Sequence, residues 1–285
     1  MIPAQQKDDT LWSDIEQAPP DTPMLWWLGQ SGFLFSYHGQ RILFDPYLSD
    51  SLTRKYADTD KPHTRMTERV IAPEAITGLD LLTSSHNHTD HLDAETLQPL
   101  LERNPGCHMV FPEANRATVE ERLGSAAGQT QLHGMDAGET VVCGKIEVSA
   151  IPAAHNTVER DAAGRCRFLG FVVSLEGFTI YHSGDTLWHD TLVEALKPHR
   201  IDLAILPING NRPERRVAGN LDGAEAAELA HTLGMRCVIP CHYEMFTFNT
   251  ATPELFVETC RKHNQPHRVL RAGEGVSLSD LKQPG

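Results

Sequence analysis

The chain has 285 residues, a formal net charge of −13 at pH 7 and six cysteines, none of them in a Cys-x-x-Cys pair. This length can bury a substantial core, the acidic balance argues against a nucleic-acid partner, and the scattered cysteines argue against a disulfide framework. No stretch reaches the apolar length of a membrane span, and the polar residues 1–9 lack the layout of a signal peptide. We therefore expect a cytoplasmic protein with a small-molecule substrate and no membrane partner.

The first quarter of the chain predicts a sheet preceded by an N-terminal arm. Residues 1–22 are polar and rich in proline at their end, which predicts a helix followed by an extended arm that wraps the domain. Three short segments rich in aromatic and branched side chains predict antiparallel strands over 25–28, 32–37 and 41–44. Residues 50–73 have no usable periodicity, and a loop of this length tends to be functional. If this loop folds over the site described next, it forms a lid on the substrate.

A dense group of metal-ligand residues follows the next predicted strand, residues 79–84. The residues after that strand are Ser85-His86-Asn87-His88-Thr89-Asp90-His91-Leu92-Asp93. Neutral imidazole and carboxylate are ligands of zinc and its first-row neighbours. In an extended loop His86 and His88 point to one side and hold one ion, whereas Asp90 and His91 turn toward a second position. A lone histidine is more often a core or surface residue, but four ligand-type side chains in one loop predict a site for two metals.

The remaining elements predict an α/β fold in one domain. Helices are predicted over 94–102 after the N-cap Asp93, from Pro112 to just before Gly128, from the capping box of Asp222 and Glu225 to Gly234, and from Pro253 after the cap Thr252. Strands are predicted over 108–111, 131–133, 140–142, 146–151, 166–175, 178–182, 203–206 and 237–239. No linker or composition shift separates the halves. We therefore expect a single domain over residues 1–285, an αββα sandwich of two β-sheets with helices on both outer faces.

Further ligand-type residues stand at the ends of these strands. They are His155 in Ile151-Pro152-Ala153-Ala154-His155, Asp185 in Tyr181-His182-Ser183-Gly184-Asp185, and His242 in Val238-Ile239-Pro240-Cys241-His242. Together with His86-x-His88-x-Asp90-His91, and with Asp45 in Ile42-Leu43-Phe44-Asp45, they resemble the signature of the metallo-β-lactamase superfamily. The segments Trp26-Trp27-Leu28-Gly29-Gln30-Ser31-Gly32 and 201–207 are similar to its L-ascorbate-6-phosphate lactonase branch.

The resemblance implies two mixed sheets and a dinuclear metal centre. The implied ligands are His86, His88 and His155 for one metal, Asp90, His91 and His242 for the other, and Asp185 as the bridge. Two Zn²⁺ or Mn²⁺ ions would lower the pKa of a shared water and polarise the substrate oxygen. The implied activity is hydrolysis by a metal-bound hydroxide, with Asp90 and Asp185 as catalytic residues. A lactone substrate is favoured, although other esters and phosphoesters suit the same chemistry.

Substrate contacts are predicted on the ligand side of the second sheet. The loop after strand 203–206 carries Arg212, Arg215 and Arg216, and these guanidinium groups could bind a phosphate or carboxylate bidentately. A solvated charged loop is an equally good interpretation of the same residues. Tyr243 and Trp188 stand beside ligand loops, and we predict that one of them contacts the substrate.

Alternatives to a lactonase stay open. A phosphodiesterase acting on a lipid or nucleotide would use the same centre, and a metal-binding scaffold without turnover would keep the same ligands. Diiron relatives carry an acidic residue where His88 stands, which argues against redox chemistry. Cys241 could be a thiolate ligand beside His242, but packing beneath the site suits a free cysteine better, and His182 suits a structural role. A homo-oligomer is compatible with the resemblance, yet no apolar interface stripe indicates one.

Overall fold

Two stacked β-sheets form the centre of the protein, as seen in a computed structural model that describes residues 1–279. Within these residues the strands are β1 (Met24–Gly29), β2 (Gly32–Tyr37), β3 (Gln40–Phe44), β4 (Leu81–Thr83), β5 (His108–Pro112), β6 (Gln131–Met135), β7 (Thr140–Cys143), β8 (Ile146–Pro152), β9 (Leu169–Leu175), β10 (Phe178–His182), β11 (Leu203–Pro207), β12 (Val238–Cys241) and β13 (Gly275–Ser277).

Both sheets are mixed, as the sequence predicts. The first has the spatial order β13-β1-β2-β3-β4-β5-β6, and the second has the order β12-β11-β10-β9-β8-β7. In the first sheet β13, β1, β2 and β3 pair antiparallel, and β3 to β6 pair parallel. In the second sheet β7 to β10 pair antiparallel, and β10 to β12 pair parallel. The loops after the parallel strands β4 and β12 therefore supply ligand residues at the carboxyl end of each sheet.

Strands β1 to β5 of the first sheet are largely buried on both faces, which explains their nearly continuous apolar sequences. Along β1, Leu25 and Trp27 face the core between the sheets, whereas Trp26 and Leu28 face an outer apolar layer. The same alternation, with a period of two residues, runs through β2 and β3. A shift of pairing by one residue would exchange these two layers, so packing specifies the register.

Helices cover both outer faces of the sandwich. They are α1 (Asp8–Glu16), α2 (Ser51–Lys55), α3 (Ala94–Glu102), α4 (Arg116–Leu123), α5 (Asp190–Leu196), α6 (Gly223–Thr232) and α7 (Glu254–Lys262). Leu11 of α1, Leu97 of α3 and Val119 of α4 pack in the outer layer of the first sheet. Ala226 of α6 and Phe256 of α7 pack on the second sheet. Among residues 1–279, no helix has the length and apolar character needed to cross a membrane.

The N-terminal arm is tied to the rest of the chain by backbone hydrogen bonds. Ile2 N donates to Met66 O at 2.6 Å, and Gln5 N donates to Ala272 O at 2.8 Å. Leu11 then buries its side chain beneath α1. The extended residues 1–7 therefore precede the helix, whereas the sequence predicts a helix followed by an extended arm.

Local signals predict some helix ends correctly and others wrongly. The Asp93 side chain accepts from Thr96 N, and Asp222 and Glu225 form the capping box of α6. Pro112 instead ends β5, because its ψ of 123° is extended, and α4 begins only at Arg116. Gly128 lies inside a 3-10 turn after α4, and Pro253 is the N-cap of α7 rather than its first residue. Helix α2 and strand β13 have no clear sequence signal.

Candidate metal centre

The loop between β4 and α3 turns its ligand residues to one side. Leu92 N donates to His88 O at 2.9 Å, which closes a turn, and Asp93 then caps α3. The Arg122 guanidinium donates to the carbonyls of Asn87 and Leu92, both at 2.8 Å. These hydrogen bonds fix the backbone of the loop at both ends and across its middle. The backbone positions of its histidines therefore do not depend on a bound metal.

The structure brings all seven predicted ligands together in two adjacent groups. The members of each group offer ligand atoms within 4.8 Å of one another; the groups are His86, His88, His155 and Asp185, and Asp90, His91 and His242. Asp185 contacts both groups, because its carboxylate oxygens lie 3.5 Å from His155 Nε2, 3.4 Å from His242 Nε2 and 3.3 Å from His91 Nε2. This is the position required of a bridging carboxylate.

Three of the histidines use Nδ1 for an outward hydrogen bond and direct Nε2 into the site. His91 Nδ1 lies 2.7 Å from a carboxylate oxygen of Asp45, and His155 Nδ1 lies 2.8 Å from Gly219 O. His86 Nδ1 lies 2.9 Å from Ser85 Oγ. Such outer partners fix the tautomer and the ring orientation of a metal ligand. Asp45, which the sequence singles out only by resemblance, is therefore an orienting residue.

The residues present fit a pair of divalent cations. His86 Nε2, His91 Nε2 and Asp185 Oδ1 are buried in the site, and none has a hydrogen-bond partner among residues 1–279. Buried polar atoms without partners are rare in folded proteins, and a bound cation would satisfy all three. The donor set is imidazole nitrogen and carboxylate oxygen, which zinc, manganese and their neighbours accept. Metal identity is not specified by these ligands.

The two groups differ in electrostatics. Burial, reinforced by the neighbouring His91, holds the pKa of His86 well below its usual range, so this imidazole is neutral. Burial also acts to lower the pKa of His242, but Asp185 and Asp90 outweigh it and raise the value to about 9. The pKa of His91 is raised well above its ordinary value by the same carboxylates. In the metal-free protein the second group therefore holds protons that a cation must displace.

Gln30 is part of the site, although the sequence gives it no such role. Its side-chain amide lies 2.9 Å from Asp90 Oδ2 and 3.0 Å from His242 Nε2. The residue has a φ of 50° in the turn between β1 and β2, and its carbonyl accepts from His242 N. The only sequence signal is its position between Gly29 and Gly32, where the turn aims the side chain at the ligands.

A cavity of about 410 Å³ opens above the ligands. Apart from Asp90 and Asp185, its charged lining residues are the cations Lys55, Lys61 and Arg122. The loop 50–73 borders this cavity and contacts the loop after β11, because Lys61 Nζ donates to Arg216 O at 2.7 Å. The predicted lid is thus located over the ligands.

One wall of the cavity is aromatic. The ring of His63 lies 4.5 Å from that of Tyr56, 5.3 Å from Phe246 and 5.2 Å from Phe248, measured between centroids. All four side chains line the cavity. Phe246 follows a ligand loop in sequence, but Tyr56, His63 and Phe248 come from segments without periodicity, where the sequence gives no sign of their direction.

The predicted substrate contacts lie outside this cavity. Tyr243 is buried against Trp27, with ring centroids 4.6 Å apart, and donates to Leu270 O at 2.6 Å. Trp188 packs against the core, and Arg212 is exposed. None of these three side chains lines the cavity, and their contact with a substrate stays a prediction.

The neighbouring arginines, Cys241 and His182 have structural surroundings. Arg215 donates to Asn209 O and Thr250 O, and Arg216 forms an ion pair with Asp60. Cys241 is buried outside both ligand groups, and burial raises the pKa of its thiol. His182 Nε2 donates to Ser31 O at 2.9 Å, while its Nδ1 accepts from Gly184 N. These hydrogen bonds support the structural role predicted for His182.

Comparisons with known proteins agree with this geometry. A UPF0173 metal-dependent hydrolase of Opitutus terrae is 28% identical over 259 residues, which cover 89% of this chain and 99% of the relative. A protein of Escherichia fergusonii named "probable L-ascorbate-6-phosphate lactonase UlaG" is 26% identical over 84% of this chain and 74% of its own. The metallo hydrolase Igni18 of Ignicoccus hospitalis shares the fold, with a TM-score of 0.65, 21% identity, and coverage of 90% of this chain and 98% of that one.

The family model described as a β-lactamase superfamily domain matches residues 40–243, which is more than half of the chain. The matched span includes β3, the metal loop, Asp185 and His242. It therefore contains both ligand groups and the strands that position them. The chain belongs to the metallo-β-lactamase superfamily of metal-dependent hydrolases.

Proposed function

We propose that this hydrolase acts on a small anionic ester, with a lactone favoured over a phosphoester, and that it uses two Zn²⁺ or Mn²⁺ ions. The observation that carries the proposal is the charge around the cavity. A chain with a net charge of −13 places Lys55, Lys61 and Arg122 around its ligands. Among residues 1–279, no carboxylate other than Asp90 and Asp185 lines the cavity. A local cluster of cations overrides the global field and attracts an anion.

The two lysines are suited to bind the anion directly. Lys55 is exposed, and its Nζ lies 3.4 Å from Thr89 Oγ1, whereas Lys61 Nζ donates to a backbone carbonyl. Neither ammonium has a carboxylate partner among residues 1–279. Arg122 is different, because its guanidinium donates to two backbone carbonyls of the metal loop. We therefore assign Lys55 and Lys61 to the substrate and Arg122 to positioning.

The aromatic wall suits an apolar portion of the substrate. Tyr56, Phe246 and Phe248 line the cavity together with the two lysines, and the Lys55 ammonium lies 5.3 Å from the centroid of the Tyr56 ring. A cavity of about 410 Å³ falls within the usual size range of small-molecule sites. A compact molecule with one anionic group and one apolar face fits both walls.

The chain's own residues have separate roles in the proposed reaction. Asp90 and Asp185 would hold the cations through their carboxylate oxygens, and the side-chain amide of Gln30 donates to Asp90 Oδ2. The bound cations would supply a lowered pKa for water and would polarise the substrate oxygen. Because Asp185 and Asp90 raise the pKa values of His242 and His91, a cation bound by these imidazoles would displace their protons.

One relative supports the preference for an anionic lactone. The E. fergusonii protein, 26% identical to this chain, is named as a probable L-ascorbate-6-phosphate lactonase, and a phosphorylated lactone carries negative charge. A phosphodiesterase remains the second candidate, because a phosphodiester is also anionic and would be attracted to the same lysines. The test must therefore vary the charge of the substrate and the type of bond that is cleaved independently of each other.

A matched pair of substrates tests the proposal. An aliphatic lactone bearing a carboxylate is compared with a neutral lactone of the same size, and both are compared with bis-p-nitrophenyl phosphate. Lys55→Ala should lower kcat/KM for the anionic lactone by about tenfold, mainly through KM, because it removes one charge-assisted hydrogen bond. The neutral lactone should be unaffected by this variant.

Lys145→Ala is the control, because Lys145 is exposed in the turn between β7 and β8 and pairs with Glu176. Equal loss on both lactones, or no loss on either, would exclude Lys55 as the anion-binding residue. Turnover of the phosphodiester above that of both lactones would favour the second candidate. No turnover of any substrate by the fully metal-loaded protein would favour a scaffold.

A further inference from the structure

A third group of metal-ligand side chains lies far from the proposed centre. His108, His133 and Cys143 offer ligand atoms within 4.8 Å of one another. His108 Nδ1 and His133 Nε2 are 2.8 Å apart, and Cys143 is buried. None of these residues belongs to the two groups that contain Asp185 and His242. The group is therefore independent of the hydrolytic site.

The topology explains how this group assembles. His108 is the first residue of β5, and it is level with Leu81, the first residue of β4. The metal loop follows the last residue of β4, so the third group lies at the opposite end of the first sheet. On the neighbouring strand β6, His133 pairs with Val110 of β5. Because Val110 and His108 are two residues apart on β5, the side chains of His133 and His108 share one face of the sheet.

Cys143 reaches the group from the other sheet. It ends β7, the edge strand of the second sheet, and β6 is the edge strand of the first. The side chain packs in the core between the sheets. The two histidines are half-buried, which leaves a route from solvent to the nitrogens. The three side chains thus close the seam where the two sheet edges meet.

We propose that His108, His133 and Cys143 form a structural site for a borderline-soft divalent cation of the zinc class, which cross-links the two sheets at this seam. Imidazole nitrogen and thiolate sulfur are both zinc ligands, and three protein ligands leave the fourth tetrahedral position to a water. In tetrahedral geometry such ligands are roughly 3.3–3.6 Å apart, given metal distances of about 2.0–2.3 Å. The imidazole nitrogens need to separate by only about half an ångström from their hydrogen-bonded distance of 2.8 Å.

The protonation states suit this assignment. Burial, together with His108 and Arg116, lowers the pKa of His133, so its imidazole is neutral near pH 7. Burial raises the pKa of the Cys143 thiol, which is therefore protonated without a cation. Binding releases that proton to solvent as the sulfur–metal bond forms, and no oxidant or reductant is required.

Cobalt substitution tests the site, because a thiolate bound to Co²⁺ gives a near-ultraviolet charge-transfer band that imidazole and carboxylate do not give. The metal-free full-length protein is titrated with Co²⁺ and its absorption is recorded. We expect the band in the wild type and its loss in Cys143→Ser, with about one Co²⁺ fewer per chain. His133→Gln should weaken Co²⁺ binding at this site by tenfold or more.

Two matched variants separate this site from other thiols. Cys107→Ala removes the buried thiol beside His108, and Cys241→Ala removes the one beside His242. Both should keep the band, and Cys143→Ser should keep wild-type hydrolysis. Absence of the band in the wild type, or its survival in Cys143→Ser, would overturn the proposal. A band lost only in Cys241→Ala would assign the thiolate to the hydrolytic centre instead.

Discussion

Asp45 offers a sharp test of how the centre is oriented. Its carboxylate is fully buried and accepts from His91 Nδ1 at 2.7 Å, Thr83 Oγ1 at 2.6 Å and Ser85 N at 3.2 Å. Burial acts to raise the pKa of Asp45, but the His91 hydrogen bond and nearby imidazoles outweigh it and lower the value. The residue is thus a buried anion at neutral pH, and it supports the basicity of His91.

Asp45→Asn keeps the size of the side chain and removes its charge. A hydrogen bond to a charged group contributes about 1.5–3 kcal/mol, and about 1.4 kcal/mol corresponds to a factor of ten in affinity. We therefore expect the cation held by Asp90, His91 and His242 to bind roughly 10- to 100-fold more weakly. The loss at the group containing His86 should be smaller, because Asp45 reaches that imidazole only through Ser85.

Competition with a chromophoric chelator measures the stepwise affinities of the metal-free protein for Zn²⁺. Asp202→Asn is the control, because Asp202 is also a largely buried carboxylate, bonded to Thr179 N and Arg236 away from the centre. It should leave both affinities unchanged. A folded Asp45→Asn protein with wild-type affinities, or with a larger loss at the His86 group, would refute the orienting role.

Three further predictions concern protons, the Asp185 turn and the core. Affinity for the cation at His242 should rise as the pH increases toward the pKa of His242, about 9, because below that value the cation must displace a proton. A flat profile from calorimetry would contradict this. Gly184→Ala should lower the free energy of unfolding by about 1–3 kcal/mol more than the control Gly177→Ala. Both glycines have a positive φ, but only at Gly184 would a Cβ overlap with the side chain of Ser85. Equal midpoints of urea unfolding for the two variants would contradict this prediction. Tyr243→Phe should lower the free energy of unfolding by about 1–3 kcal/mol, because it removes the hydrogen bond to the buried carbonyl of Leu270. It should keep the wild-type kcat/KM, and a changed kcat/KM would indicate that Tyr243 contacts the substrate.

The sequence predicts which ligand-type residues come together, because each of them follows a short apolar strand. His86 to His91 lie in one loop after β4, Asp185 follows β10, and His242 follows β12 directly. Strand ends in parallel sheets meet at one edge, so local patterns are sufficient to bring these residues together. The mixed sandwich follows from the same strands.

The cavity walls are not predictable in this way. Lys55, Tyr56 and Phe248 come from segments whose direction is set by tertiary contacts, such as the hydrogen bond of Lys61 to Arg216 O. Tyr243 is adjacent to a ligand in sequence, but the positive φ of His242, 60°, turns the following residue into the core. Gln30 is aimed by a similar backbone turn.

Metal content measured together with hydrolysis tests the central claim most directly. Wild-type protein and Asp185→Ala are compared by elemental analysis after equilibration with Zn²⁺ or Mn²⁺, and both are assayed on the same lactones. We predict that the wild type holds about two more divalent ions per chain than the variant, and that hydrolysis is lost with them. Equal metal content in both proteins, or hydrolysis that persists in Asp185→Ala, would contradict the dinuclear account.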